Sequence, residues 1–111
     1  MNIQYFTDRD EETRKPIFKY IDVQILENAT IKELFLKIHE MEGIPMYKKV
    51  TWNENTEKIA CEYLIFIDEE SGPHFAYLFD EDLEKKISEF PKDGPNGELS
   101  VFIETNVVRV N

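Results

Sequence analysis

The clearest hydrophobic pattern in the chain lies within residues 28–45. Apolar side chains recur there at helical spacing: Ile31, Leu34, Phe35, Ile38 and Met41. Thr30, followed three residues later by Glu33, forms a capping-box motif that marks the start of a helix. Gly43 suits the left-handed position after a helix, and Pro45 prevents the helix from resuming. The pattern therefore predicts one helix of about three turns with a single apolar face.

Alternating and β-branched segments on either side of this helix predict a sheet. We expect strands over residues 2–6, 17–26, 47–52, 58–67, 74–79 and 98–110. The charged stretch 7–15 and the Pro/Gly-rich stretch 91–97 are expected to be loops, and the polar linker 53–57 predicts a hairpin. Leu83, Ile87 and Phe90 predict a second helix over residues 80–90, with acidic residues in its first turn.

The second predicted strand places apolar residues on both of its faces. Ile17, Ile21, Val23 and Ile25 share one face, and Phe18 and Tyr20 lie on the other. A sheet with aromatic residues on its second face either packs on both sides or offers a binding surface.

The main helix carries a family resemblance. Thr30-Ile31, Lys37-Ile38 and Glu42-Gly43-Ile44-Pro45 resemble the ubiquitin-like family, in which the helix is entered by Thr-Ile and left through Glu-Gly-Ile-Pro. The resemblance implies an α+β fold, namely a single ubiquitin-like (β-grasp) domain over residues 1–111 with a mixed sheet packed on one main helix. The expected domain also has a short second helix and an extra hairpin, and the extra hairpin departs from the family pattern.

The C-terminal sequence also departs from the conjugated members of that family. Those members end in Gly-Gly, whereas this chain ends in residues 106–111, Asn-Val-Val-Arg-Val-Asn, and has no Gly-Gly at any position. We therefore expect a ubiquitin-like protein that is not conjugated to other proteins.

Composition and charge narrow the class of function. The 111 residues are 41% hydrophobic, which is typical of one globular domain, and the net charge is −10. This charge argues against direct nucleic-acid binding and against adhesion to anionic membranes, and no apolar run is long enough to span a bilayer. Cys61 is the only cysteine, so no internal disulfide can form, and we expect a cytoplasmic protein.

The chain shows no recognisable catalytic or metal-binding motif. His39 and His74 lack metal-ligand spacing with Cys61. His39 is expected on the helix surface, and Cys61 is expected to be packed in a strand. The glycines form no phosphate-binding loop, and the carboxylate pairs lack the spacing of a dedicated calcium loop. We therefore expect no enzyme activity, no cofactor and no metal ion.

Two functional hypotheses follow. The first is a non-catalytic interaction module that docks a protein partner through its sheet face. In the family that surface is formed by the strand after the helix, the last strand and a neighbouring hairpin. The corresponding candidates here are Trp52, Tyr47, Tyr63, Ile65 and Phe102. The identity of the partner and the oligomeric state are left open.

The second hypothesis uses the acidic clusters. They could imitate the phosphates of DNA, so the chain would be an inhibitor of the phage or mobile-element type. It would block a nucleic-acid-processing enzyme such as a restriction or CRISPR effector. The candidate residues are Asp68, Glu69, Glu70, Asp80, Glu81 and Asp82.

Overall fold

The computed structural model describes the backbone of residues 1–9, 12–52 and 55–110 and, within these ranges, the side chains outside 8–9, 16, 47–60 and 105–110. The described residues form an α+β domain. The strands are β1 (Asn2–Arg9), β2 (Pro16–Asp22), β3 (Tyr47–Trp52), β4 (Asn55–Glu69), β5 (Gly72–Tyr77) and β6 (Leu99–Val110). The main helix is α1 (Ile31–Glu42), and a small helix, α2 (Asp80–Leu83), precedes a single 3-10 turn at Ile87–Glu89.

The strands form one mixed sheet in the order β2-β1-β6-β4-β3, and β5 pairs with β4 on the same edge as β3. β1 and β6 run parallel, with Ile3 opposite Leu99 and Phe6 opposite Phe102. Every other pairing is antiparallel, including the predicted β3–β4 hairpin, whose turn residues 53–54 lie outside the described part. The first and last strands of the chain are therefore neighbours in the middle of the sheet.

The predicted main helix is confirmed at both ends. The Glu33 amide donates to the Thr30 hydroxyl at 3.2 Å, and the Thr30 amide donates to the Glu33 carboxylate at 3.1 Å. Gly43 ends the helix with φ 64°, a conformation that glycine adopts without steric cost, and its amide donates to the His39 carbonyl. Local sequence alone accounts for both boundaries.

The hydrophobic core lies between α1 and one face of the sheet. The helix contributes four fully buried side chains: Ile31, Leu34, Phe35 and Ile38. The sheet contributes Ile3, Tyr5, Ile65, Leu99, Val101 and Ile103, and Val23 and Ile87 complete the same cluster. Burying one such aliphatic or aromatic side chain contributes about 1.5–3 kcal/mol, against about 1 kcal/mol for a helix cap. Packing therefore stabilises α1, and its caps fix where it begins and ends.

The prediction of one helix over residues 80–90 is wrong. α2 ends at Leu83, and the chain then runs alongside the segment that leads into α1. The Ile31 amide donates to the Lys85 carbonyl at 2.8 Å, and the Ile87 amide donates to the Ala29 carbonyl at 2.8 Å. These bonds need an extended backbone at Lys86, so they interrupt the helix while still placing Ile87 in the core.

Several strand boundaries also differ from the prediction: β4 spans residues 55–69 rather than 58–67, and β5 spans residues 72–77 rather than 74–79. β1 continues to Arg9, which shortens the expected loop over 7–15, of which residues 10–11 lie outside the described part. β2 ends at Asp22 rather than Leu26. The Val23 amide still donates to the Met1 carbonyl at 2.8 Å, after which the chain leaves the sheet toward α1.

Candidate functional site

The candidate site is the sheet face opposite α1, which we call the outer face. Side chains alternate between the two faces along each strand, so Ile3 and Tyr5 point to the helix and Phe6 points outward. The same alternation places one set of rings on the outer face, which we call the aromatic face: Phe6, Phe18, Tyr20, Phe66, Phe75, Tyr77 and Phe102.

The central rings of the aromatic face pack on one another. The ring centroids of Phe6 and Phe75 lie 5.1 Å apart, and Phe75 lies 5.5 Å from Phe66 and 5.4 Å from Phe102. Phe6 lies on β1 and Phe75 on β5, and β6 and β4 lie between these two strands. In a flat sheet β1 and β5 would therefore be about 14 Å apart. The two rings therefore lean toward each other across the sheet, which leaves Phe102 only 5% exposed. This part of the outer face is a small second core.

A buried polar contact lies beneath these rings. The Ser100 hydroxyl donates to the Gln4 side-chain carbonyl at 2.9 Å, and the two residues are 0% and 5% exposed. The small serine leaves space above β6, into which the neighbouring rings lean. The hydrogen bond satisfies polar groups that would otherwise be costly to bury.

The margin of the aromatic face is open to solvent. Phe18, Tyr20 and Tyr77 are 53%, 49% and 49% exposed. Phe18 rests against Phe6 and Tyr20, with ring centroids 5.6 and 6.1 Å apart, so its position is fixed although half its surface is free. Half-exposed rings held in place by a packed cluster lose little entropy on binding and bury a large area.

A groove of about 400 Å³ lies at the β4–β5 end of the outer face. Its lining residues are Gln4, Phe6, Phe66, Asp68, Pro73, Phe75, Asp93 and Pro95. The Asp68 amide donates to the Asp93 carboxylate at 2.9 Å, which attaches the loop 91–98 to β4. Within that loop the Gly94 amide donates to the Glu98 carbonyl at 2.8 Å. The loop thus forms one wall of the groove.

Acidic side chains lie beside the aromatic rings. Glu62 and Glu104 are directly opposite each other on β4 and β6. The Tyr77 hydroxyl donates to the Glu104 carboxylate at 3.5 Å. The Glu104 charge raises the pKa of Tyr77 above its ordinary value of 10.0, with partial desolvation and Glu62 adding to the effect. The outer face is therefore both aromatic and electronegative.

The residues that the sequence proposed for docking do not all lie on the same face of the sheet. Tyr63 and Ile65 face α1, and Ile65 is only 1% exposed, so both leave the candidate surface as a correction. The reason is strand alternation, which turns Leu64 and Phe66 outward instead. Phe102 lies on the outer face within the packed rings. The side chains of Tyr47 and Trp52 lie outside the described part of the chain.

His39 is buried rather than exposed, which corrects the expectation that it lies on the helix surface. Its Nδ1 lies 2.8 Å from the Ile44 carbonyl oxygen, and its Nε2 lies 2.8 Å from the Tyr63 hydroxyl. The Tyr63 ring also packs on Phe35, at a centroid distance of 4.4 Å. The histidine and tyrosine thus join the end of α1 to β4 and have a structural role.

The proposed acidic residues form two separate groups. Asp68, Glu69 and Glu70 lie at the β4–β5 turn and are exposed. Asp80, Glu81 and Asp82 form the start of α2, at the other end of β5, about 20 Å away over six strand residues. Asp82 already accepts from the Phe79 amide at 3.0 Å and from Lys85 at 3.1 Å. The Asp82 carboxylate is therefore already hydrogen-bonded and paired with a lysine inside the domain.

Sequence reasoning missed most of the aromatic face. Phe6, Phe66, Phe75 and Tyr77 were not proposed as site residues, and neither was Asp93 in the loop. The sequence pattern did place Phe18 and Tyr20 together on one face of the second strand. The alternation of outward Leu64 and Phe66 with inward Tyr63 and Ile65 could have identified a further part of the surface.

Among the described side chains, no group of three or more histidine, cysteine, aspartate or glutamate residues is placed to hold a metal ion. No helix in the described ranges combines the length and apolar character needed to cross a bilayer. Comparison with family models, with curated proteins and with solved structures gave no match for this chain.

Proposed function

We propose that this chain is a non-catalytic protein-interaction module with a ubiquitin-like (β-grasp) fold, which docks a protein partner through its outer face. The fold assignment is supported by the parallel pairing of β1 with β6 and by the single main helix packed across the sheet. The motif residues Thr30 and Gly43, which carry the family resemblance, cap that helix.

One observation carries the functional part of the proposal. Three aromatic side chains, Phe18, Tyr20 and Tyr77, are about half exposed on the margin of a packed aromatic cluster. Exposed apolar patches of this kind on a folded domain are typical of protein-binding surfaces, and aromatic side chains are frequent anchors in them. The rings need no rearrangement before they contact a partner.

The experiment is affinity capture of partners from nuclease-treated lysate of the source cells, with quantitative mass spectrometry. The wild type is compared with the double variant Phe18→Ser/Tyr20→Ser and with a control, Met41→Ser. Met41 lies on α1 and is 49% exposed, so the control removes one apolar side chain of similar fractional exposure from another surface. Circular dichroism first establishes that each variant is folded.

We expect the outer-face variant to lose a partner that the wild type and the Met41→Ser control both retain at moderate salt. Capture that is unchanged in the outer-face variant would refute the proposal. Equal loss of the partner in both variants would refute it as well, because the binding would then depend on another surface or on nonspecific hydrophobic contacts.

The alternative function is an acidic inhibitor that imitates DNA. It is supported by the net charge of −10 and by exposed carboxylates at both ends of β5. Binding of this kind weakens steeply with salt. A basic enzyme captured at low salt only, and lost with Asp80→Asn/Glu81→Gln, would favour it over docking through the aromatic face.

A further inference from the structure

The groove at the β4–β5 end of the outer face has aromatic walls. Phe6, Phe66 and Phe75 line it, and the Phe75 ring stands nearly perpendicular to Phe6, with an interplanar angle of 76°. These two rings pack edge to face. Ring faces carry partial negative charge, which attracts cations.

The polar groups around the groove have one sign of charge. Asp68 is exposed at its margin, and the Asp93 carboxylate lies beside it, 2.9 Å from the Asp68 amide. Among the described residues that line the groove, none is a lysine or an arginine. A carboxylate beside apolar surface attracts a cation more strongly than one in bulk water, because the local dielectric constant is lower.

We propose that this groove receives an arginine side chain from the partner, an inference that rests on the proposed docking function and names its partner chemistry. A guanidinium group is planar, stacks on aromatic rings and donates to two carboxylates at once. It is also more weakly hydrated than a lysine ammonium group, so entry between phenyl rings costs less desolvation. The groove therefore selects a positively charged planar group over an apolar side chain.

The test needs no partner protein. ¹⁵N-labelled full-length chain is titrated with N-acetyl-arginine methylamide, and separately with N-acetyl-citrulline methylamide, which has nearly the same shape and no charge. We expect shifts at the amides of Asp68, Phe75 and Asp93. We expect the arginine probe to bind about fivefold more tightly than the citrulline probe. This ratio is what one exposed ion pair together with a cation–π contact would contribute. Equal affinity for the two probes, or shifts confined to α2, would overturn the inference.

A matched pair of variants assigns the charge. Asp68 and Glu69 are adjacent, exposed and on opposite faces of β4. Asp68→Asn should weaken the arginine probe several-fold and leave the citrulline probe unchanged, whereas Glu69→Gln should leave both probes unchanged. Equal weakening by the two variants would mean that only the net charge attracts the probe, and it would overturn the site.

The outcome is separable from that of the proposed function. If the arginine probe binds as expected but Phe18→Ser/Tyr20→Ser captures every wild-type partner, docking through the aromatic face fails and the groove assignment stands. If capture depends on Phe18 and Tyr20 but the probes bind equally, docking stands and the arginine assignment fails.

Discussion

The buried pair of His39 and Tyr63 supports a quantitative prediction. A carbonyl oxygen can only accept a hydrogen bond, so Nδ1 of His39, 2.8 Å from the Ile44 carbonyl, carries the proton. In the neutral imidazole Nε2 is then an acceptor, and the Tyr63 hydroxyl donates to it at 2.8 Å. Tyr63→Phe removes this donor while it keeps the ring that packs on Phe35.

The expected cost follows from the burial of the acceptor. His39 is only 6% exposed, so its Nε2 has little contact with bulk water once the hydroxyl is removed. A buried polar group left unsatisfied costs about 1–3 kcal/mol. The free energy of unfolding should therefore fall by about that amount, and the melting temperature by about 4 °C for each kcal/mol in a domain of this size.

Urea denaturation monitored by circular dichroism measures this change, with Tyr20→Phe as the control. Tyr20 is half exposed on the outer face, and loss of its hydroxyl should change the unfolding free energy by less than about 0.5 kcal/mol. If Tyr63→Phe is as stable as the control variant, the hydroxyl does not satisfy a buried acceptor and the assigned tautomer of His39 is wrong.

Two further predictions concern the loop beside the groove and the small helix. Gly94→Ala places a Cβ 2.7 Å from the Glu98 carbonyl oxygen, so the loop must shift. We expect the free energy of unfolding, measured by urea denaturation, to fall by about 1–3 kcal/mol. The control Asn96→Ala should change it little. The hydrogen bond from the Phe79 amide lowers the pKa of Asp82 below its ordinary value of 3.8. The ionised carboxylate therefore stabilises the fold at pH values above 3.8. This contribution is lost as the pH falls through the lowered pKa. Asp82→Asn should therefore lower the urea midpoint at neutral pH and match the wild type at about pH 2; an unchanged difference at both pH values would contradict this reasoning.

The sequence predicted those features that depend on neighbouring residues. The start of α1 needs only Thr30 and Glu33, which are three residues apart, and its end needs only Gly43. The bounds of β3 at Tyr47 and Trp52 also agreed with the prediction, because Pro45 lies shortly before the segment and polar residues begin at Asn53. In each case the physical cause lies within one turn or one strand.

Features that depend on distant contacts were missed. His39 is buried because Tyr63 lies against it, 24 residues away along the chain. The helix expected over residues 80–90 is interrupted because Ile87 bonds to Ala29. Helical spacing of apolar residues could not show that the backbone of Ile87 pairs with a distant segment.

The aromatic face was missed for a related reason. Phe6 and Phe75 meet only because β1 and β5 lie on opposite sides of the β6–β4 pair and both rings lean across these two strands on the outer face. Neither residue stands out in its own segment. The packing of these rings therefore depends on the sheet order, which the local pattern of one segment does not reveal.

The central position of β1 and β6 has a consequence for synthesis on the ribosome. Gln4 and Ser100, which are hydrogen-bonded in the finished sheet, are 96 residues apart in sequence. The β1–β2 hairpin and α1 emerge early, but their apolar faces stay uncovered until the last strand leaves the exit tunnel and is inserted between β1 and β4. Such long-range pairing carries a large loop-closure entropy and makes folding slow. The nascent chain thus exposes these core residues until β6 has been synthesised, and chaperone binding would protect them most in that period.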